Sequence, residues 1–165
     1  MSVVLTESLA EKLRYSIPRM KLLLVHESIP NHRRVIIDKP ADAAKLLIPL
    51  KHSPDEQFVS IHLNAKNEVL GLHEVSHGTV SSSLVHPREV FKAAILANSY
   101  AILVCHNHPS GSQIVPSKED IETTQQLVRS GKLLGVNVVD HLIVGPRSRP
   151  DFYSIRECHP ELWND

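Results

Sequence analysis

The chain has no surplus of charge of either sign: 18 Lys and Arg face 18 Asp and Glu in 165 residues, a formal net charge of zero. A balanced chain offers no basic stripe for a phosphate backbone, so nucleic acid is not an expected partner. Cysteine is scarce. Only Cys105 and Cys158 occur, far apart and with Cys105 inside an apolar run, which excludes a disulfide framework and fits a reducing cytoplasm. No apolar stretch reaches the roughly 20 residues of a membrane span, and no charged-then-apolar leader opens the chain. A membrane is therefore not an expected partner either. Repeats and low-complexity segments are also missing. What is present is a 42% hydrophobic chain, enough to bury one sizeable core as a single domain.

Residues 1–20 are irregularly patterned, close on Ile17-Pro18, and are expected to form an N-terminal arm. Residues 21–165 are expected to be one domain. In it, Lys21 to His26 should be a strand and Arg33 to Ile37 a second short extended piece. A helix follows from Asp38-Lys39-Pro40, with Ala43, Ala44, Leu46, Leu47 and Leu50 at helical spacing and Pro54-Asp55 ending it. Gln57 to Ala65 and Glu68 to Val75 flank the turn at Lys66-Asn67 and predict a hairpin. Pro87 opens a helix with an apolar stripe of Val90, Phe91, Ala94, Ile95 and Ala97. Ser117 opens another that runs to Gly135. Val136 to Val144 is a further strand, and Phe152 to Ile155 adds an edge strand. Strands flanked by helices make an α/β sandwich.

The chemistry concentrates between Tyr100 and Asp120. The apolar run Ala101 to Cys105 is a buried strand that ends at His106-Asn107-His108-Pro109. Side chains alternate along a strand, so His106 and His108 point the same way at its C-terminal end. Pro109 cannot extend the ladder and Ser110-Gly111 turns the chain. Asp120, in the first turn of the helix opened by Ser117, then comes back to the histidines. Two imidazoles, one carboxylate and one open position make a catalytic zinc site, one ion per chain. Taken separately, Ser117 to Asp120 is also a capping box and a histidine pair at a strand end is often a polar rim. It is their conjunction that favours metal.

These residues resemble a known signature. H-x-H, a short loop and S-x-x-D is similar to the JAMM (MPN+) metallopeptidase motif, and His106-Asn107-His108-Pro109-Ser110-Gly111 is the form found in the RadC family. The similarity extends over residues 58–157, through Val85-His86-Pro87-Arg88-Glu89-Val90 and Asp140-His141-Leu142-Ile143-Val144-Gly145. It implies a three-layer α-β-α sandwich with a mixed sheet, a JAB/MPN fold related to that of cytidine deaminases, although the deaminase H-x-E and P-C-x-x-C elements are missing here. The family form carries a Glu on a strand shortly before Gly-Thr, and Glu74-Val75-Ser76-His77-Gly78-Thr79 resembles that element. Glu74 would then be the general base. The segment Pro109 to Pro116 is one residue longer than the family form. A helix-hairpin-helix module of the DNA-binding kind, common ahead of this domain, is not expected before Lys21, which weakens a link to DNA repair.

The resemblance implies hydrolysis of a peptide or isopeptide bond. Zinc on His106, His108 and Asp120 would activate water, Glu74 would shuttle the proton, and Ser117, or more weakly Ser110, would donate to the oxyanion. The substrate and the oligomeric state are not specified. A non-catalytic scaffold or DNA-repair accessory of the same fold is the alternative, although it would not need all four site residues. A further alternative is His73-Glu74-Val75-Ser76-His77, which satisfies the zincin pattern H-E-x-x-H. That motif works on a helix, whereas here the flanks alternate as a strand does, and a strand would send Glu74 to the face opposite both histidines. No catalytic role is expected for His86 or His141.

Overall fold

The computed structural model describes residues 20–25, 34–78, 85–109, 114–146 and 152–164. Five strands form one mixed sheet: β1 (Gln57–Leu63), β2 (Val69–His77), β3 (Ala101–Asn107), β4 (Asn137–Val144) and β5 (Phe152–Ser154), in the order β2-β1-β3-β4-β5. β3 pairs antiparallel with β1 and parallel with β4, and the other pairs are antiparallel. The central strand β3 is buried along its whole length, which is why its sequence is an unbroken apolar run instead of an alternating one. His108 continues the parallel ladder one step, its N–H donating to Val144 O at 2.9 Å, before Pro109 ends it.

Helices cover both faces. Val59, Ile61, Leu63, Leu103 and Cys105 pack under α1 (Pro40–Leu46) and α2 (Ile48–Lys51) through Ala43, Leu47 and Leu50. Phe58, Ile102, Val104 and Val138 pack on the other face against Val90, Phe91 and Ala94 of α3 (Pro87–Leu96) and Leu127 and Val128 of α4 (Lys118–Leu134). The α5 turn (Ile155–Cys158) and a 3₁₀ turn (Pro160–Trp163) close one end with Ile155 and Leu162 against Ile143. The three-layer α/β sandwich is thus as expected.

Four local expectations change. Lys21 to Val25 forms no strand in the described residues and is exposed; its run of leucines lacks a paired neighbour. The helix expected over residues 40–50 breaks at Leu47, because Pro49 in the first turn of α2 has no N–H to continue the ladder. Arg33 to Ile37 reduces to a bridge between Ile36 and Glu68, Arg33 itself lying outside the described residues. Ile95 of α3 is exposed, and Ala93 is buried where the stripe had placed Ile95. Ser117 caps α4 through a reciprocal capping box with Asp120, and Gly135 ends that helix in the left-handed region at φ 70.

Candidate metal centre

β3 and the first turn of α4 bring three ligating side chains together. His106 Nε2 stands 3.0 Å from His108 Nε2 and 3.3 Å from Asp120 Oδ1, and His108 Nε2 is 3.8 Å from Asp120 Oδ2. Donor atoms about 2.0–2.2 Å from a common tetrahedral zinc lie about 3.3–3.6 Å apart, so the spacing fits one cation. Two Nε2 lone pairs at 3.0 Å repel unless a proton or a cation lies between them. The donor set could therefore hold a metal ion. The longer Pro109 to Pro116 segment has not moved Asp120 away; Ser110 and Gly111 lie outside the described residues.

Asp120 is locked by its own helix start. Its Oδ2 accepts from Ser117 N at 2.8 Å and from Ser117 Oγ at 2.7 Å, while its N–H donates back to Ser117 Oγ at 3.1 Å. Burial alone would push the carboxyl pKa up. When His106 is protonated, its hydrogen bond and charge join the two bonds from Ser117 in outweighing burial, and they hold Asp120 well below the usual carboxylate range. It stays an anion, as a ligand must. The capping box and the metal reading thus coexist in the same residues.

A directed hydrogen-bond chain runs behind His106. Thr124 Oγ1 donates to the Asp120 carbonyl at 2.6 Å, and since that uses its only proton, His141 Nδ1–H donates to Thr124 Oγ1 at 2.6 Å. His141 is fully buried, which pushes its pKa far down and keeps it neutral. Its Nε2 is then an acceptor, 2.8 Å from His106 Nδ1. His106 therefore carries a proton on Nδ1, and in its neutral form turns the Nε2 lone pair toward His108 and Asp120. Sequence reasoning gave His141 no role; the available signal was Asp140-His141, two polar residues inside the largely apolar strand beside the His-bearing one.

Glu74 is not brought to this cluster. It pairs across the sheet with Val59, on the α1 face, whereas His106 pairs with Phe58 on the opposite face. Its carboxylate is 51% exposed and 2.9 Å from His77 Nδ1. The carboxylate at the site is Glu56. Phe58 opposes His106 in antiparallel register, and Glu56, just before β1, is near enough to feel the charges of His106, His108 and Asp120. Burial raises the Glu56 pKa, with the charges of His106 and His108 lowering it and that of Asp120 raising it. The sequence signal that could have found it is Pro54-Asp55-Glu56, immediately before a strand antiparallel to the His-bearing one. Asn107 fastens this segment from the other face: its Oδ1 accepts from Gln57 N at 2.7 Å and its amide donates to Asp55 O at 3.0 Å and Ser53 O at 3.4 Å.

The H-E-x-x-H sequence lies on strand β2 and not on a helix. His73 faces α3, as expected for the side opposite Glu74, but an irregularity in the β1–β2 pairing between Phe58 and Val59 returns His77 to the side of Glu74. The three cannot form a zincin site.

A mixed five-stranded sheet with a His-His-Asp cluster at the C-terminal end of its central strand defines an α/β domain with a candidate metal centre. The RadC-like JAB domain family matches residues 37–160, and the chain belongs to that family. It is 49% identical over 115 residues to a UPF0758 protein of Staphylococcus haemolyticus, covering 69% of this chain and 50% of the relative. A UPF0758 protein of Moorella thermoacetica is 49% identical over 113 residues (68% and 49%), and one of Bacillus pumilus is 42% identical over 135 residues (81% and 58%). The chain thus spans about half the length of these relatives. Among the described residues, no helix is long and apolar enough to cross a membrane.

Proposed function

We propose that this domain is a zinc-dependent hydrolase of peptide or isopeptide bonds, holding one ion per chain on His106, His108 and Asp120. The observation that supports this most is the spacing of the three ligating groups, with a fourth group, Glu56, just before the antiparallel strand and within range of their charges. A zinc ion there would supply Lewis acidity and a water whose pKa falls to about 7. Glu56 accepts the proton of the attacking water and returns it to the leaving amine nitrogen. A carboxyl whose pKa is raised by burial suits both halves of that transfer. Ser117 Oγ, beside Asp120, is the donor to the developing oxyanion, and must give up its 2.7 Å bond to Asp120 Oδ2 to do so. The substrate is a peptide or isopeptide, met in the cytoplasm.

Metal analysis of protein purified without a histidine tag tests the reading. About one zinc per chain is expected, and His108→Ala and Asp120→Ala should both lose it. Stoichiometric zinc in both variants would overturn the assignment, and metal without hydrolysis of any amide would favour a scaffold role.

A further inference from the structure

We infer that Thr124 and His141 are positioning residues that hold His106 in the tautomer able to bind a cation through Nε2, an inference that rests on the metal reading above. Every member of the chain is buried: His141 and Thr124 are 0% exposed, His106 2% and Asp120 5%. Water therefore does not compete for these bonds, and with His141 kept neutral by its complete burial their directions follow from the donor inventory. The chain starts at a main-chain carbonyl of α4, which can only accept. From it the polarity passes without choice through Thr124 Oγ1 and both nitrogens of His141 to His106 Nδ1.

The consequence is that a hydroxyl two residues removed from the cluster along this chain decides which nitrogen of His106 is free. Replacing Thr124 by Val keeps the shape and removes the acceptor for His141 Nδ1–H. His141 then gains by moving its proton to Nε2, where it donates to His106 Nδ1. That change drives the His106 proton to Nε2, the atom aimed at His108 and Asp120, and blocks it. Phe58 keeps the rings in place throughout, stacked on His106 with planes 5° apart and edge-on to His141 at 5.4 Å. A merely structural threonine would affect stability and leave the tautomer alone. Loss of a partner behind a ligating histidine typically costs about 10–100-fold in metal affinity.

The test combines two readouts on the full chain. Long-range nitrogen-15 NMR of metal-free protein at about pH 8.5, well above the ordinary histidine pKa of about 6.5, should show the His106 proton on Nδ1 in wild type and Thr124→Ser, and on Nε2 in Thr124→Val. Competition titration with zinc should give wild-type affinity for Thr124→Ser and about 10–100-fold weaker binding for Thr124→Val. An unchanged tautomer or unchanged affinity in folded Thr124→Val overturns the inference. If wild type binds no zinc, the metal reading fails, while the NMR result still decides the relay. Should Thr124→Val not fold, His106 on Nε2 in wild type or in Thr124→Ser overturns the inference, and His106 on Nδ1 in both supports it.

Discussion

Phe58 lies parallel to His106, ring centroids 6.1 Å apart and planes 5° from parallel, and the cross-strand pairing of these two residues brings Glu56, two residues before Phe58, within range of the cluster's charges. One register thus positions a candidate ligand and a carboxylate beside the cluster.

That register separates the two glutamates. Glu56→Gln should retain zinc and fold while kcat for an amide substrate falls by about 10²–10⁴-fold. Glu74→Gln, altering a group bonded to His77 on the other face, should leave kcat within about twofold of wild type, since exposed substitutions of this kind shift free energies by only about 0.5 kcal/mol. Steady-state kinetics with metal content decides; a large loss in Glu74→Gln alone would reverse the assignment.

Asn107 sits between the two histidines, yet its side chain works on the opposite face. Asn107→Ala removes three hydrogen bonds to the segment that carries Glu56. Zinc content should be unchanged. Stability in urea should drop by about 1–3 kcal/mol, because the Gln57 N–H loses its partner, and kcat should fall as Glu56 is released. Loss of zinc in this variant would show that Asn107 holds the ligands instead.

The His-His-Asp cluster was legible because strand alternation and a helix cap are local rules: period two aims His106 and His108 together, and Ser117 to Asp120 declares a helix start. Glu74 was misplaced because its face depends on a pairing irregularity between β1 and β2 and on which strands neighbour β3, neither of which is local. Glu56 was passed over for the same reason. It acquires its position only when β1 runs antiparallel to β3. His141 and Thr124 belong to different elements 17 residues apart, and a buried polar chain leaves no periodic trace. Lys21 to Val25 shows the converse: an apolar run that meets no partner strand among the described residues forms no strand there.

Gly131 marks the closest approach of α4 to the chain that follows it. A Cβ there would lie 2.5 Å from Val136 O and 3.3 Å from Phe91 Cζ. Main chain cannot rotate away as a side-chain tip can. Gly131→Ala should therefore destabilise by about 1–3 kcal/mol, in spite of the gain of about 1 kcal/mol in helix propensity. Thermal unfolding should show a Tm lowered by about 2–4 °C per kcal/mol; a raised Tm would mean that α4 shifts freely on the sheet.

Stability should decline as pH falls from neutral, and two buried histidines set the window. His62, 3% exposed and bonded to Ser60 and Ser99, has its pKa pushed down to about 4, first by burial and then by the charge of His73. His141 is pushed well below its ordinary value by complete burial. Both folded-state values lie under the unfolded value of about 6.5, so between about 6.5 and about 4 the unfolded chain binds protons that the folded chain does not. Unfolding free energy then rises with pH, by about 1.4 kcal/mol per pH unit for each such proton. Urea midpoints measured from neutral pH down to about 4.5 should fall in wild type. In His62→Gln, which keeps an amide for the two serines and cannot titrate, the slope should shrink by about one proton. Equal slopes in the two proteins would show that His62 is protonated in the folded state as readily as in the unfolded one.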